Sequence, residues 1–210
     1  AVLTMIGEAH IEFFGTRERI ADAKMEITHG LSEDGTFIYN GDEPLLRTRA
    51  EKVKQEKRTF GRELNNDLYA TSVNQLEDHI DFYVNQWPDM TFTIPMIGEY
   101  NVNNAMAAML VGKQLHVTPE HMQQGLAHVQ LTENRSEWLQ GSQGEKILSD
   151  VYNSNPTAVR EVLTTLNELP DQGRRLIVLG DMLELGKSSP ELHASLANSI
   201  DDDHFQEVYL

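Results

Sequence analysis

Hydrophobic and polar positions change their spacing several times along this chain, and each change marks an element. Ala1-Val-Leu-Thr-Met-Ile6 is a strand-like apolar run, and Gly7 to Gly15 follows as a loop. From Thr16 to Leu31 the apolar residues Ile20, Ala23, Ile27 and Leu31 keep helical spacing, with Gly30 as a stop signal. Thr36-Phe-Ile-Tyr39 predicts a short strand ending in the turn Asn40-Gly41-Asp42. The charged run from Arg47 to Arg58 reads as a solvated helix or loop face. Strict alternation returns at His79 to Asn85, with Ile80, Phe82 and Val84 on one face. Pro88-Asp89 then turns the chain into Met90 to Ile94, which predicts a hairpin.

An Ala- and Met-rich helix is expected from Asn101 to Leu115, and Thr118-Pro119 caps another that runs to Val129. After a polar stretch from Thr132 to Gly144 the order becomes strand (146–152), helix (156–169), strand (175–179), helix (190–200) and strand from Val208. Strands alternating with helices imply a parallel, doubly wound sheet. Asn155-Pro156 and Ser189-Pro190 read as cap-and-proline helix starts. The fold class expected is therefore α/β, with a partial, mixed-sheet domain over 1–131 followed by a partial Rossmann-like, doubly wound domain over 132–210. The first residue is not Met, and both ends are strand-like runs that a complete domain would pair or cover. The chain reads as an internal piece of a longer protein.

Composition narrows the function. With 210 residues and a formal net charge of -16, the chain lacks the basic stripe that nucleic acid or an anionic membrane requires. An anionic ligand must be held by local arginines, backbone N–H groups or metal ions. There is no cysteine, which excludes disulfides and thiolate metal sites and suits a cytoplasmic protein. No apolar run approaches the roughly 18 residues of a membrane span.

Seven residues stand out chemically. Lys24 lies on the Ile20, Ile27, Leu31 stripe, so the helix turns a lysine toward its apolar side. Desolvation lowers a lysine's pKa, and the free amine can take up carbon dioxide to form a carbamate, a metal ligand on a long arm. The alternative is a snorkelling side chain whose ammonium reaches water. His10, flanked by Glu8 and Glu12, is either a surface residue or an imidazole in a phosphate-bound cation site. Asn101 and Asn104 can cap a helix or bond a purine edge. Arg135 is the only cation between Gln114 and Gly144, and it serves either as a phosphate clamp or in a surface pair with Glu133 or Glu137. Asp150, where a strand runs into a helix, can accept from ribose hydroxyls or simply shape a turn. Asp181 has the same two readings.

Five runs together carry a resemblance. Gly7 to Gly15, Ala21 to Ile27, Gly98 to Ala108, Asp150-Val-Tyr-Asn-Ser-Asn-Pro156 and Leu179-Gly-Asp-Met-Leu-Glu-Leu-Gly186 occur in the order found in the Mur ligases, and the similarity covers essentially the whole chain. The resemblance implies an ATP- and Mg2+-dependent amide ligase, of which this chain holds the later part of the central ATPase domain and the first half of the C-terminal domain. The last two runs are most similar to members that join D-alanyl-D-alanine to UDP-N-acetylmuramoyl-tripeptide through an acyl phosphate, in peptidoglycan precursor synthesis. It further implies a carbamylated Lys24 and His10 at the magnesium ion, Asn101 and Asn104 near the base, Arg135 at the phosphates and Asp150 at the ribose. It also implies a cytoplasmic protein, monomeric at full length.

Two departures qualify the likeness. Asn134 precedes the arginine where the family usually has Gly or His, and no Gly-x-x-x-x-Gly-Lys-Ser/Thr phosphate loop is present. Other readings are a ligase adding a single amino acid or a glutamate to a folate, or a non-catalytic nucleotide-binding module. The chain alone is expected not to turn over substrate.

Overall fold

A computed structural model describes residues 1–130, 132–170 and 173–210. The expected boundary at residue 131 lies outside the described residues. In chain order the elements are β1 (Val2–Leu3), α1 (Ile11–Phe14), α2 (Arg17–Met25), β2 (Thr36–Asn40), α3 (Pro44–Ala50), β3 (Glu56–Gly61), β4 (Leu68–Gln75), β5 (Ile80–Val84) and β6 (Trp87–Ile94). Then come α4 (Tyr100–Gln114), α5 (Pro119–Ala127), β7 (Glu137–Gln140), β8 (Lys146–Ser149), α6 (Pro156–Glu168), β9 (Leu176–Val178), α7 (Ser189–Ser195) and β10 (Glu207–Tyr209). The contacts divide the chain into two units, Ala1–Ile6 with Thr16–Val129, and Gly7–Gly15 with Gln130–Leu210.

The first unit is built on a six-stranded sheet in the order β1-β2-β3-β4-β5-β6. Its first four strands pair in parallel and the last three antiparallel, so the sheet is mixed. Phe37, Ile38 and Tyr39 of β2 are all buried, as expected for a strand covered on both faces. Helix α4 packs across β2, β3 and β4. Val102, Ala105, Met106, Met109 and Leu110 of that helix join Phe60, Leu68, Phe82 and Phe92 in one core cluster. Small alanines let the helix approach the sheet, while each large side chain buried there contributes roughly 1.5–3 kcal/mol.

Three expectations for this unit change. The helix predicted over 16–31 is α-helical only to Met25 and tightens into a 3-10 turn over Glu26–Gly30. The changed period turns Ile27 outward, and it is 49% exposed. The charged run splits into α3 and β3, because only Thr59, Phe60 and Gly61 at the end of β3 are buried and its first residues reach solvent. The hairpin turn falls at Asn85-Gln86, since Val84 pairs with Trp87. Pro88 instead lies within β6, which ends the strand order and so tolerates a residue without an N–H.

In the second unit β9 and β10 pair in parallel, with α7 between them in sequence, while β7 and β8 form a separate antiparallel pair. The strand expected over 146–152 thus stops at Ser149. Leu163, Ile177 and Phe205 form one small core, and Met182, Leu185 and Leu196 form another. Asn155 caps α6 as predicted, accepting from Ala158 N–H at 3.1 Å. The predicted Ser189 cap is displaced: Ser189 is the first residue of α7, and Ser188 makes no side-chain cap.

Candidate functional site

Lys24 is presented by α2, whose first turn is fixed by Thr16 accepting from Arg19 N–H at 3.3 Å. Ile20, Ala21 and Met25 turn inward, so the inner face of the helix runs along 20, 21 and 25 and not through Ile27. Lys24 falls on the same side, one turn after Ile20. Its side chain is exposed overall, and Nζ donates to the Met5 carbonyl at 3.1 Å. Of the two readings the structure shows the snorkelling one: Lys24 leaves the helix on the side of Ile20 and its amine reaches the surface. Surrounding protein still lowers its pKa below the usual lysine value, through desolvation.

Asn101 and Asn104 stand one turn apart on α4. Asn101 is 4% exposed and donates through Nδ2 to the Ile97 carbonyl at 2.8 Å. Asn104 is exposed and donates through Nδ2 to Asn101 Oδ1 at 3.1 Å. Neither caps the helix, because the N-cap position is Glu99, whose side chain makes no cap bond and instead accepts from Arg62 at 3.0 Å. The buried amide orients the exposed one, whose carbonyl oxygen is left at the surface as an acceptor.

The second unit carries the other three residues. Asp150 Oδ1 accepts from Ser136 N–H at 2.9 Å, which ties the end of β8 to the loop holding Arg135. That loop is pinned at Asn134: its N–H donates to Glu137 Oε2 at 2.8 Å, its Oδ1 accepts from Ser149 Oγ at 3.0 Å, and its carbonyl accepts from Tyr152 N–H at 3.3 Å. Asn134 has a φ of 59°. This left-handed backbone favours glycine and tolerates asparagine, so the departure from Gly or His fits the loop. Arg135 is drawn into no pair with Glu133 or Glu137. Its guanidinium lies 4.3 Å from the centre of the Tyr152 ring, so the tyrosine presents the cation to solvent in one orientation.

His10 opens α1 with a φ of 64°, and its Nδ1 is bonded to the Glu184 carboxylate. Neighbouring Glu8 is an ion-pair partner of Arg160 at 3.3 Å and accepts from the Thr157 hydroxyl, both on α6. Glu8 therefore anchors its own loop. Asp181 points to solvent, with 95% of its side chain exposed. Among the described residues no three His, Asp or Glu side chains are grouped to hold a metal ion. Magnesium prefers oxygen and keeps substrate phosphates and waters in its shell, so one imidazole fits an ion bound mainly through phosphates and not an all-protein cage.

Arg135 and Asp150 are thus brought together in one loop system, as are Asn101 and Asn104 on one helix face. Sequence reasoning missed Glu184 and Tyr152. Both sit inside the runs already singled out, but nothing in their spacing shows which neighbour each contacts.

A mixed-sheet α/β unit and a parallel-stranded α/β unit thus carry amide, arginine and aspartate groups near element ends. The chain belongs to the Mur ligase family: residues 1–112 match the Mur ligase middle domain and residues 134–210 the Mur ligase glutamate ligase domain. It is 38% identical over 209 residues to the UDP-N-acetylmuramoyl-tripeptide–D-alanyl-D-alanine ligase of Bacillus subtilis strain 168, covering 100% of this chain and 45% of that protein. Among solved structures, MurF from Acinetobacter baumannii superposes with a TM-score of 0.88 at 28% identity, covering 99% of this chain and 46% of the other. MurF ligase from Thermotoga maritima in complex with ADP gives 0.85 at 29% identity, covering 100% and 47%. The chain spans about half the length of the curated relatives it matches. No helix among the described residues is long and apolar enough to cross a membrane.

Proposed function

We propose that this chain is part of an ATP-dependent amide ligase that adds D-alanyl-D-alanine to UDP-N-acetylmuramoyl-tripeptide, acting as a monomer in the cytoplasm. The observation that carries this reading is a 38% identity that runs the length of the chain to a ligase of that name. The portion over 1–131 belongs to the central domain and that over 132–210 to the C-terminal domain. In such a reaction a substrate carboxylate oxygen attacks the γ-phosphorus of ATP and ADP leaves, giving an acyl phosphate. The free amine of D-alanyl-D-alanine then attacks the acyl carbon, forming the amide bond and expelling phosphate. Catalysis rests on positioning and on neutralising charge around the transferred phosphoryl group.

The residues divide that work. Lys24, as its carbamate, and His10 hold Mg2+, which when bound neutralises phosphate charge. What supports this role is the desolvation that lowers the Lys24 pKa and so favours the free amine that adds carbon dioxide. Asn104, oriented by Asn101, meets the nucleotide base with an acceptor. Arg135, held over Tyr152, contacts the phosphates, and Asp150 accepts from the ribose hydroxyls.

The test uses the polypeptide that carries this chain together with a phosphate loop. With ATP, Mg2+, the UDP-linked tripeptide and D-alanyl-D-alanine it should release ADP and phosphate and yield the UDP-linked pentapeptide. Phosphate release with glutamate and a folate instead would assign it to the other ligase class. The 210-residue chain alone should show no phosphate release in a coupled assay, because it has no loop to cradle the β- and γ-phosphates.

A further inference from the structure

The run Leu179 to Gly186 is the longest motif that the proposed reaction leaves without a task. Its fold within the second unit gives it one. Met182 N–H donates to His193 Nε2 at 3.0 Å, and His193 Nδ1 meets the Ser189 carbonyl at 2.8 Å, so α7 pins the run from one side. Met182 and Leu185 bury themselves against Leu196, and Ile11 of the His10 loop packs on the same cluster. The Glu184 carbonyl then accepts from Glu12 N–H at 2.9 Å, one turn from the imidazole. A Cβ placed on Gly186, where φ is 57°, would lie 3.3 Å from Glu12 Cα, so the two backbones run close and a side chain there would press on Glu12. His10 and Glu184 both hold left-handed backbone, with φ of 64° and 60°, in non-glycine residues. Two unfavourable conformations facing one another are maintained only where surrounding contacts over-determine them.

We propose that Glu184 is a positioning residue for His10, fixing the imidazole with its Nδ1–H on the carboxylate and its Nε2 lone pair turned outward to a divalent cation. This rests on the reading of His10 as a metal ligand. For the neutral ring the tautomer follows from the geometry: an unprotonated Nδ1 would set a lone pair against carboxylate oxygens, so the single hydrogen belongs on Nδ1 and Nε2 is the acceptor. A metal-bound histidine commonly has its second nitrogen held by a carboxylate in this way. Side-chain exposures of 56% and 43% mean that the pair adds little to stability in water, and its effect falls on imidazole orientation.

Two measurements test the proposal separately from the reading beneath it. The first is long-range proton–nitrogen NMR on the histidine-labelled 210-residue chain, with H10Q identifying the His10 signals among eight histidines. Wild type should show a protonated Nδ1 and an acceptor Nε2. Glu184→Ala should move His10 toward the opposite tautomer, and Glu184→Gln, whose amide oxygen still accepts, should retain the wild-type pattern. A wild-type His10 protonated at Nε2, or an E184A pattern equal to wild type, overturns the positioning role. The second is Mn2+ binding in the presence of ATP, by electron paramagnetic resonance, on the polypeptide that also carries the phosphate loop. E184A should weaken it roughly 10- to 100-fold, with E184Q closer to wild type. Mn2+ binding unchanged by H10Q would refute the metal role of His10, whatever the tautomer shows.

Discussion

At the scale of single residues, two exposed cations are placed by different means. Lys24 combines an amine that reaches solvent with a pKa below the usual lysine value, the cause being desolvation. Only the neutral amine adds carbon dioxide, and a lowered pKa enlarges the neutral fraction at every pH below the ordinary value. Carbamylation should therefore survive to lower pH at Lys24 than at a fully solvated lysine. Carbon-13 NMR with labelled bicarbonate checks this, with Lys24→Arg as the blank; a carbamate signal that fades at the same pH as a free lysine's would remove the argument. Arg135 is placed by an aromatic ring. A cation–π contact at an exposed site is worth roughly 0.5–1 kcal/mol. Replacing Tyr152 by leucine should accordingly weaken ATP binding by the whole ligase about two- to fivefold. Tyr152→Phe keeps the ring and should bind within about twofold of wild type, as titration calorimetry would show.

At the scale of elements, short local signals did most to define the fold. Asn155-Pro156 carries its own physics: the proline fixes φ and needs no N–H in the first turn, and the asparagine oxygen satisfies Ala158 N–H. Asn155→Ala should cost the second unit about 0.5–2 kcal/mol and Asn155→Gly only a few tenths, measured by urea unfolding. Equal losses would show that the cap bond contributes nothing. Where buried and exposed positions alternate, as in β5, or an apolar run is buried on both faces, as in β2, the strand was legible. It was not legible in β3, whose Glu56-Lys57-Arg58 opening carries charges out to solvent while Phe60 alone marks the core. Nor was β4 expected, because its regular inward side chains stop at Ala70. The site divides similarly. Residue types and order pointed to Lys24, His10, the asparagines, Arg135 and Asp150, yet the groups that orient them, Tyr152 and Glu184, depend on loop closure over long sequence separations. Helical periodicity misjudged Ile27, where the backbone tightens, and for Lys24 it gave the side of the helix but not that the amine reaches the surface.

At the scale of the whole molecule, the family match and the contacts disagree over one segment, and the order of the His10 loop depends on it. Gly7–Gly15 lies inside the stretch that matches the Mur ligase middle domain, but its contacts place it in the second unit. Glu8 bonds to α6, Ile11 joins the Met182 cluster, and Glu12 N–H is bonded to Glu184. The loop that presents His10 should therefore be only as stable as the C-terminal unit that holds it. Phe205 tests this, being 6% exposed in a core of three buried side chains with Leu163 and Ile177. Phe205→Ala should cost about 3–5 kcal/mol, a large share of the 5–15 kcal/mol that stabilises an ordinary domain. Hydrogen exchange should then show Glu12 N–H losing protection together with β9 and β10. Ile38 N–H, bonded to the Ala1 carbonyl in the first unit at 2.9 Å, should keep its own. If Glu12 instead stays protected with Ile38 while β9 opens, the His10 loop takes its order from the first unit, and the second unit has no hold on His10.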